Sequence, residues 1–229
     1  MSLQERQAEL VETHRTIQDA GLPYVLVGGW AVSAFQPRFT TDVDMVIPES
    51  ALDDYDVLLR ERGYEQEFDS SVANVYEGRV VRYEKPVDEY AVEFDALVGA
   101  MRCRQTDAEW SYRYLHEHSV LTSLEIAPDL EGRIPEPALL FALKVHSGRL
   151  ADTRDLVVIS TRADFDRLGR HLHRGETEAL AGQIDEILDR LRDEDFADSF
   201  KGVFQQETLP DDAIEELIEF LAQQRRQLP

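Results

Sequence analysis

The chain predicts an α+β fold, a small mixed sheet flanked by helices and followed by a helical C-terminal part. Three observations predict it. Short apolar runs bounded by glycine and proline fill the first hundred residues and read as strands. From Pro135 onward the apolar residues recur at helical spacing. Between two of the early runs, a glycine pair, Gly28-Gly29, precedes Asp42-Val43-Asp44.

The elements follow in order. Leu3, Gln7, Leu10, Val11, His14 and Ile17 share one helical stripe, and Gly21-Leu22-Pro23 ends that helix. His14 reads as a packed helix residue rather than a ligand. Tyr24 to Val27 is a buried strand closed by the glycines, and Trp30 to Phe35 is a short helix that starts at their turn. A second strand holds Asp42, Val43, Asp44, Met45, Val46 and Ile47. Pro48-Glu49-Ser50 opens a helix over about 50–62, which Gly63 stops. Residues 72–83 and 90–98 read as strands, with 84–89 as the turn between them. Residues 120–126 add a short strand. In the second part, Leu139, Leu140, Leu143 and Val145 lie on one helix. Leu180, Ile184, Ile187, Leu188 and Leu191 form a second stripe, and Ile214, Leu217, Ile218 and Leu221 a third. Thr208-Leu209-Pro210-Asp211 fits a capping box before the last helix.

The chemistry concentrates in residues 24–47. A glycine pair lets backbone approach a ligand closely, and free amides at a helix start favour phosphate. Side chains alternate along a strand, so Asp42 and Asp44 point the same way. Two such carboxylates repel unless a cation joins them. A hard divalent ion with oxygen ligands fits.

This pattern resembles the nucleotidyltransferase superfamily of DNA polymerase β. That signature is an apolar residue, Gly-Gly or Gly-Ser, some ten to thirteen residues, then Asp-x-Asp, with a third carboxylate from a later strand. Asp95, within Tyr90 to Val98, is the candidate third carboxylate, with Glu93 as a neighbour on the same face. Gly28-Gly29-Trp30-Ala31 resembles the antibiotic-modifying and abortive-infection (AbiE-type toxin) branches in particular. The resemblance covers about the first hundred residues. It implies transfer of a nucleoside monophosphate from an NTP to a hydroxyl, with Mg²⁺ or Mn²⁺ held by Asp42, Asp44 and Asp95. Gly28 and Gly29 would cradle phosphate, assisted by Arg38, Thr41 and Lys144. Thr40 and Thr41 would orient the loop or donate to phosphate, and ordinary capping explains them as well. The alternative is a non-catalytic nucleotide-binding module, or a toxin–antitoxin partner, that keeps the fold.

A second segment, Ala142 to Leu156, resembles the stretch after the catalytic core in abortive-infection-type relatives, where a lysine and an arginine precede Asp-x-x-Asp. Here these are Lys144, Arg149, Asp152 and Asp155; Ala151 departs from the pattern, because relatives tend to be basic there. A lysine in an apolar helix needs a charge partner or a route to solvent. A triphosphate supplies one, and a salt bridge to Asp152 or Asp155 supplies another. The expected division is a catalytic core over 1–130 and a helical domain over 131–229 that completes the nucleotide cleft, with the boundary near 128–136.

Composition narrows the partners. The 229 residues carry 46 acidic against 24 basic side chains, a formal charge of −22. Only three of the basic residues are lysines, Lys85, Lys144 and Lys201. This resembles proteins from organisms that balance osmotic pressure with molar internal salt. No basic run announces a nucleic-acid surface, and Arg79, Arg82 and Lys85 read as decoration on a strand or hairpin. The acceptor is left open among an RNA 3′ end, a protein hydroxyl and a small molecule, and an antitoxin-type partner is allowed. Cys103 is the single cysteine, which excludes an intrachain disulfide. The absence of a signal peptide and of an apolar stretch of membrane-spanning length makes cytoplasmic the expected location. His116-Glu117-His118 and His171-Leu172-His173 have metal-ligand spacing but read as solvated histidines. Ser33 and Ser147 lack the context of a triad.

The charge makes a prediction. Like charges repel over about 30 Å at 0.01 M salt but only about 3 Å at 1 M. The melting temperature is therefore expected to rise steeply with KCl up to molar concentration. A flat profile from about 0.1 to 2 M, followed by circular dichroism, would refute the salt-adapted reading.

Overall fold

A computed structural model describes residues 3–37, 40, 42–72, 76–87, 90–163, 165–204 and 210–229. The chain divides into two compact units, residues 1–102 with 110–135, and residues 103–109 with 136–229.

The first unit opens with α1 (Leu3–Asp19), β1 (Val25–Leu26), α2 (Gly28–Val32) and β2 (Asp42–Ile47). A 3₁₀ turn at Glu49–Ala51 leads into α3 (Leu52–Glu61), then β3 (Glu65–Val72), β4 (Tyr76–Val87) and β5 (Tyr90–Cys103). After them come β6 (Ala108–Ser111), α4 (Tyr112–Glu117), β7 (Ser119–Leu124) and β8 (Ala127–Pro135). Among the described residues the main sheet runs β1-β2-β5-β4-β3, with β6 also on β5, and β7 pairs with β8 alone. The sheet is mixed because β1 pairs antiparallel with β2 while β2 pairs parallel with β5.

The core forms where the sequence alternates. On β2, Val43 and Met45 are buried while Asp42 and Asp44 are half-buried on the opposite face. Tyr55 of α3 packs its ring 6.0 Å from Phe94 of β5. His14 of α1 meets Tyr24 and Trp30 edge-on, and its Nε2 lies 2.9 Å from the Tyr24 hydroxyl. The packed reading of His14 therefore holds. Gln7 and Gln18 of α1 donate to the backbone carbonyls of Ile126 and Glu131, which ties α1 to the segment containing β8.

Two strand readings need correction. Of the run read as one strand over 72–83, Val72 ends β3, residues 73–75 lie outside the described residues, and 76–83 belong to β4, the second arm of a hairpin. Its partner, β3, is a polar segment whose Glu65, Gln66 and Glu67 hide the apolar alternation that marks a strand. The run read as a turn from residue 84 is still strand as far as Val87. The last β3–β4 register pair is Glu65↔Glu84, so Pro86 lies beyond that ladder, where a missing N–H costs nothing to it. Residues 88 and 89 lie outside the described residues.

The second unit is helical: α5 (Pro137–Ser147), α6 (Leu150–Ser160), α7 (Phe165–Leu172), α8 (Thr177–Leu191), α9 (Phe196–Phe204) and α10 (Asp211–Arg226). α5 is buried from Ala138 to Ser147, so it is the central helix of this unit. Pro137 sits in its first turn, where the absent N–H has no intrahelical partner. Gly148 ends it at φ 58°, and a Cβ there would fall on the Gln183 amide. Phe141 and Phe220 meet edge to face at 5.9 Å, which joins α5 to α10. The capping box expected before α10 is not its N-cap. Pro210 holds that position without a side-chain bond, and Thr208 lies outside the described residues.

Several charged and polar groups inside this unit are paired with one another. Lys144 Nζ lies 2.8 Å from Asp152 Oδ1 and 2.8 Å from Asp155 Oδ2, all three side chains being almost wholly buried. Asp152 also accepts from the Ser147 hydroxyl and from the Arg149 backbone and guanidinium. Burial alone would push the Asp152 carboxyl up. The Lys144 and Arg149 charges outweigh it and hold the group well below the usual carboxylate range. Of the two partners open to Lys144 in the sequence, the structure supplies the internal one. His146 donates from Nε2 to the Leu172 carbonyl at 2.8 Å, and its Nδ1 lies 2.6 Å from the Thr106 hydroxyl. His171 is fully buried against Glu136 at 3.0 Å, and His173 bonds Gln224 at 2.8 Å. His171 is therefore not a solvated histidine, because the α7 stripe carries it inward with Leu168 and Leu172, whereas His173 is exposed as expected.

Two predictions follow from these buried groups. Lys144→Ala leaves two interior carboxylates short of a cation and should cost about 3–5 kcal/mol of stability, read by urea unfolding of the nucleotide-free protein at fixed salt. A loss under about 1 kcal/mol would mean that the cluster does not hold the unit together. The second concerns acid. Burial lowers both His14 and His146 from 6.5 to about 4. Unfolded chains bind those protons first, so stability present above 6.5 is lost as pH falls through 4. Each histidine contributes at most about 3 kcal/mol. Asp152, depressed from 3.8, adds a second loss only below that value. Unfolding free energies of the wild type and His146→Gln, measured from pH 7 to 4, should converge as pH falls.

Candidate active site

The register of β2 on β5 builds the site. Asp42 pairs with Glu93 and Asp44 with Asp95, in parallel strands. Residues at matched positions on neighbouring strands share a face, so four carboxylates stand together on it. Val43 and Phe94, one step along, are buried on the other face. The same alternation thus anchors the sheet and presents the acids.

The glycine turn lies against this row. The Val27 amide donates to the Asp44 carbonyl at 3.0 Å, which draws the β1–α2 turn onto β2. Gly28 has φ +61°, a left-handed conformation that glycine adopts without strain. A Cβ at Gly28 would fall on Asp44 Oδ2 and lie 3.0 Å from its Cγ. Gly28 is therefore required twice, by its backbone angle and by the carboxylate resting on it. Gly29 follows within α2.

Each acid has a distinct environment. Asp42 Oδ1 accepts a hydrogen bond from the Thr40 hydroxyl, which is buried. Asp95 is 8% exposed and is gripped by Arg82 of β4. Arg82 Nε donates to Oδ1 and its Nη2 to Oδ2, both at 2.8 Å. Arg82 Nη1 lies 3.2 Å from Glu93 Oε2 as well. Burial pushes the Glu93 carboxyl up, Arg82 opposes that shift, and the Asp95, Glu84 and Asp42 charges add to it. A raised carboxyl among like charges is what a crowded acidic face produces.

The donor set fits a hard divalent ion, since all of it is carboxylate oxygen. Asp42, Asp44 and Asp95 are brought to one face, with Glu93 beside them. Arg38 and Thr41 lie outside the described residues. Lys144 belongs to the helical unit, where its ammonium faces Asp152 and Asp155.

Arg82 is the residue that sequence reasoning misplaced. It is no surface decoration, because it spans two acids of the site. The other two cations of that patch are also paired, Arg79 with Asp69 at 3.0 Å and Lys85 with Glu9 at 2.8 Å. The available signal was spacing: Arg82 alternates with buried Val81 and Tyr83, which puts it on the opposite face from them.

No protein-family model matches the chain, and no curated protein matches its sequence. Solved structures do resemble it. The antibiotic-resistance factor ANT(2'')-Ia matches at TM-score 0.51 and 9% identity, over 75% of this chain and 91% of that one. Lincomycin-bound LnuA, a lincosamide antibiotic adenylyltransferase, matches at TM-score 0.48 and 18% identity, over 68% and 97%. A proposed nucleotidyltransferase from H. pylori matches at TM-score 0.46 and 13% identity, over 99% and 97%. At 9% identity the likeness to ANT(2'')-Ia is one of fold alone.

Proposed function

We propose that the chain transfers a nucleoside monophosphate from an NTP to a hydroxyl acceptor, with release of pyrophosphate. The observation that carries this reading is the pairing of Asp44 with Asp95 in register, with the Gly28 turn packed onto the Asp44 carboxylate. Asp42, Asp44 and Asp95 would hold Mg²⁺ or Mn²⁺. Divalent ions so placed lower the pKa of an acceptor hydroxyl and neutralise the leaving pyrophosphate.

The protein's own groups have separate tasks in this scheme. Gly28 would let the Asp44 carboxylate rest against the turn, and with Gly29 would let the phosphate chain approach the backbone there. Thr40 would fix the orientation of Asp42 through its hydroxyl. Asp95 would take the proton as the acceptor oxygen bonds to the α-phosphorus and the bond to pyrophosphate breaks. The net charge of −22 opposes a polyanionic acceptor and favours a neutral or cationic one. Among the described residues no helix is long and apolar enough to cross a membrane.

The test is direct. Radiolabelled NTPs should transfer label to a component of a cell extract in the presence of Mg²⁺ or Mn²⁺ at high salt. Asp44→Asn should reduce that transfer at least about 100-fold and remove the metal dependence of NTP affinity seen by calorimetry. Equal NTP binding by wild type and Asp44→Asn, with and without metal, would refute the site. Gly28→Ala should behave like Asp44→Asn in the calorimeter, because its methyl group displaces the same carboxylate.

A further inference from the structure

We propose that Arg82 is a built-in counter-ion of the carboxylate row, held where a divalent cation must compete with it for Asp95. This rests on the reading of Asp42, Asp44 and Asp95 as a metal site and adds a control on how that site is loaded.

The geometry has three parts. Arg82 holds both oxygens of Asp95 in a forked pair at 2.8 Å and 2.8 Å, the strongest arrangement open to a guanidinium and a carboxylate. Its third nitrogen reaches Glu93 at 3.2 Å, so one cation spans both β5 acids. Asp95 is nearly buried, while the Arg82 side chain is 35% exposed. The acid is fixed by its strand, whereas the arginine has a route outward into solvent. A guanidinium cannot lose its proton, so it leaves by moving and not by titrating.

Physical necessity supplies the reason for such a residue. Four carboxylates on one sheet face repel one another. A fold assembled before metal arrives needs a cation there, and Arg82 serves. A divalent ion that shares Asp95 must take at least one oxygen from the fork or tolerate the adjacent positive charge. Either way Arg82 weakens metal binding by the protein alone. In the metal-bound protein, Arg82 turns toward solvent or toward the anionic substrate.

Mn²⁺ alone is the probe, titrated against wild type, Arg82→Gln, Arg82→Lys and Asp44→Asn by electron paramagnetic resonance, with melting curves alongside. Arg82→Gln should bind Mn²⁺ at least about tenfold more tightly than wild type. It should melt lower without metal and recover most of that loss when Mn²⁺ is added. Arg82→Lys, which keeps the charge but loses the fork, should fall between them. A purely structural arginine would lower the melting temperature and leave Mn²⁺ affinity unchanged. That result, with binding lost in Asp44→Asn, would overturn the inference and leave the proposed function standing. Absence of Mn²⁺ binding in both wild type and Arg82→Gln would overturn both. Should Arg82→Gln not fold, the wild-type Arg82 Nε–H resonance decides. It should shift and exchange faster as Mg²⁺ is added, and an unmoved resonance under Mg²⁺ that shifts other site signals would refute the displacement.

Discussion

Like charges forced side by side are the constraint around which the first unit is organised. Parallel pairing of β2 with β5 puts Asp42 beside Glu93 and Asp44 beside Asp95. The sheet cannot relax this by slipping one residue, because that would turn Val43, Met45 and Phe94 out of the core. Apolar burial on one face therefore enforces repulsion on the other. Three features answer it. Thr40 donates to Asp42, the Gly28 turn leaves room for Asp44, and Arg82 sets one positive charge against Asp95 and Glu93.

The helical unit solves a different charge problem by burying it. Lys144 lies on α5, whose residues Ala138 to Ser147 are enclosed all round, so its ammonium cannot reach bulk water. Asp152 and Asp155, three residues apart on α6, present two carboxylates on one side of that helix. Ser147 and Arg149 complete the bonds to Asp152. The result is a closed cluster that orders the α5–α6 turn. The contrast with the first unit is one of access: Arg82 is partly exposed, Lys144 is not. Only the former has the freedom to exchange partners with something from solution.

Much of this was legible in the residues. The glycine pair, the Asp-x-Asp alternation on β2 and the face shared by Glu93 and Asp95 all rest on local rules of φ angle and strand period. The helical stripes of α8 and α10 were equally plain. Other elements were hidden for physical reasons. β3 is polar, so it carries no apolar alternation. β8 contains Pro128, Gly132 and two acids, and forms only because β7 supplies its ladder. Arg82 looked like one of several surface cations, and His171 like an exposed one, because neither residue announces its partner in the chain.

By itself the sequence determined the α+β class, the turn at Gly28 and the facing of each acid along its own strand. These depend on residues near one another in the chain. The tertiary structure alone decided which strands lie side by side, in what register, and hence that Asp44 stands beside Asp95. It alone decided that Lys144 faces Asp152 and Asp155, and that Arg82 is the cation of the carboxylate row. Partner choice between distant residues is set by packing of the whole core, and a charged side chain is equally compatible with any opposite charge that the fold brings near.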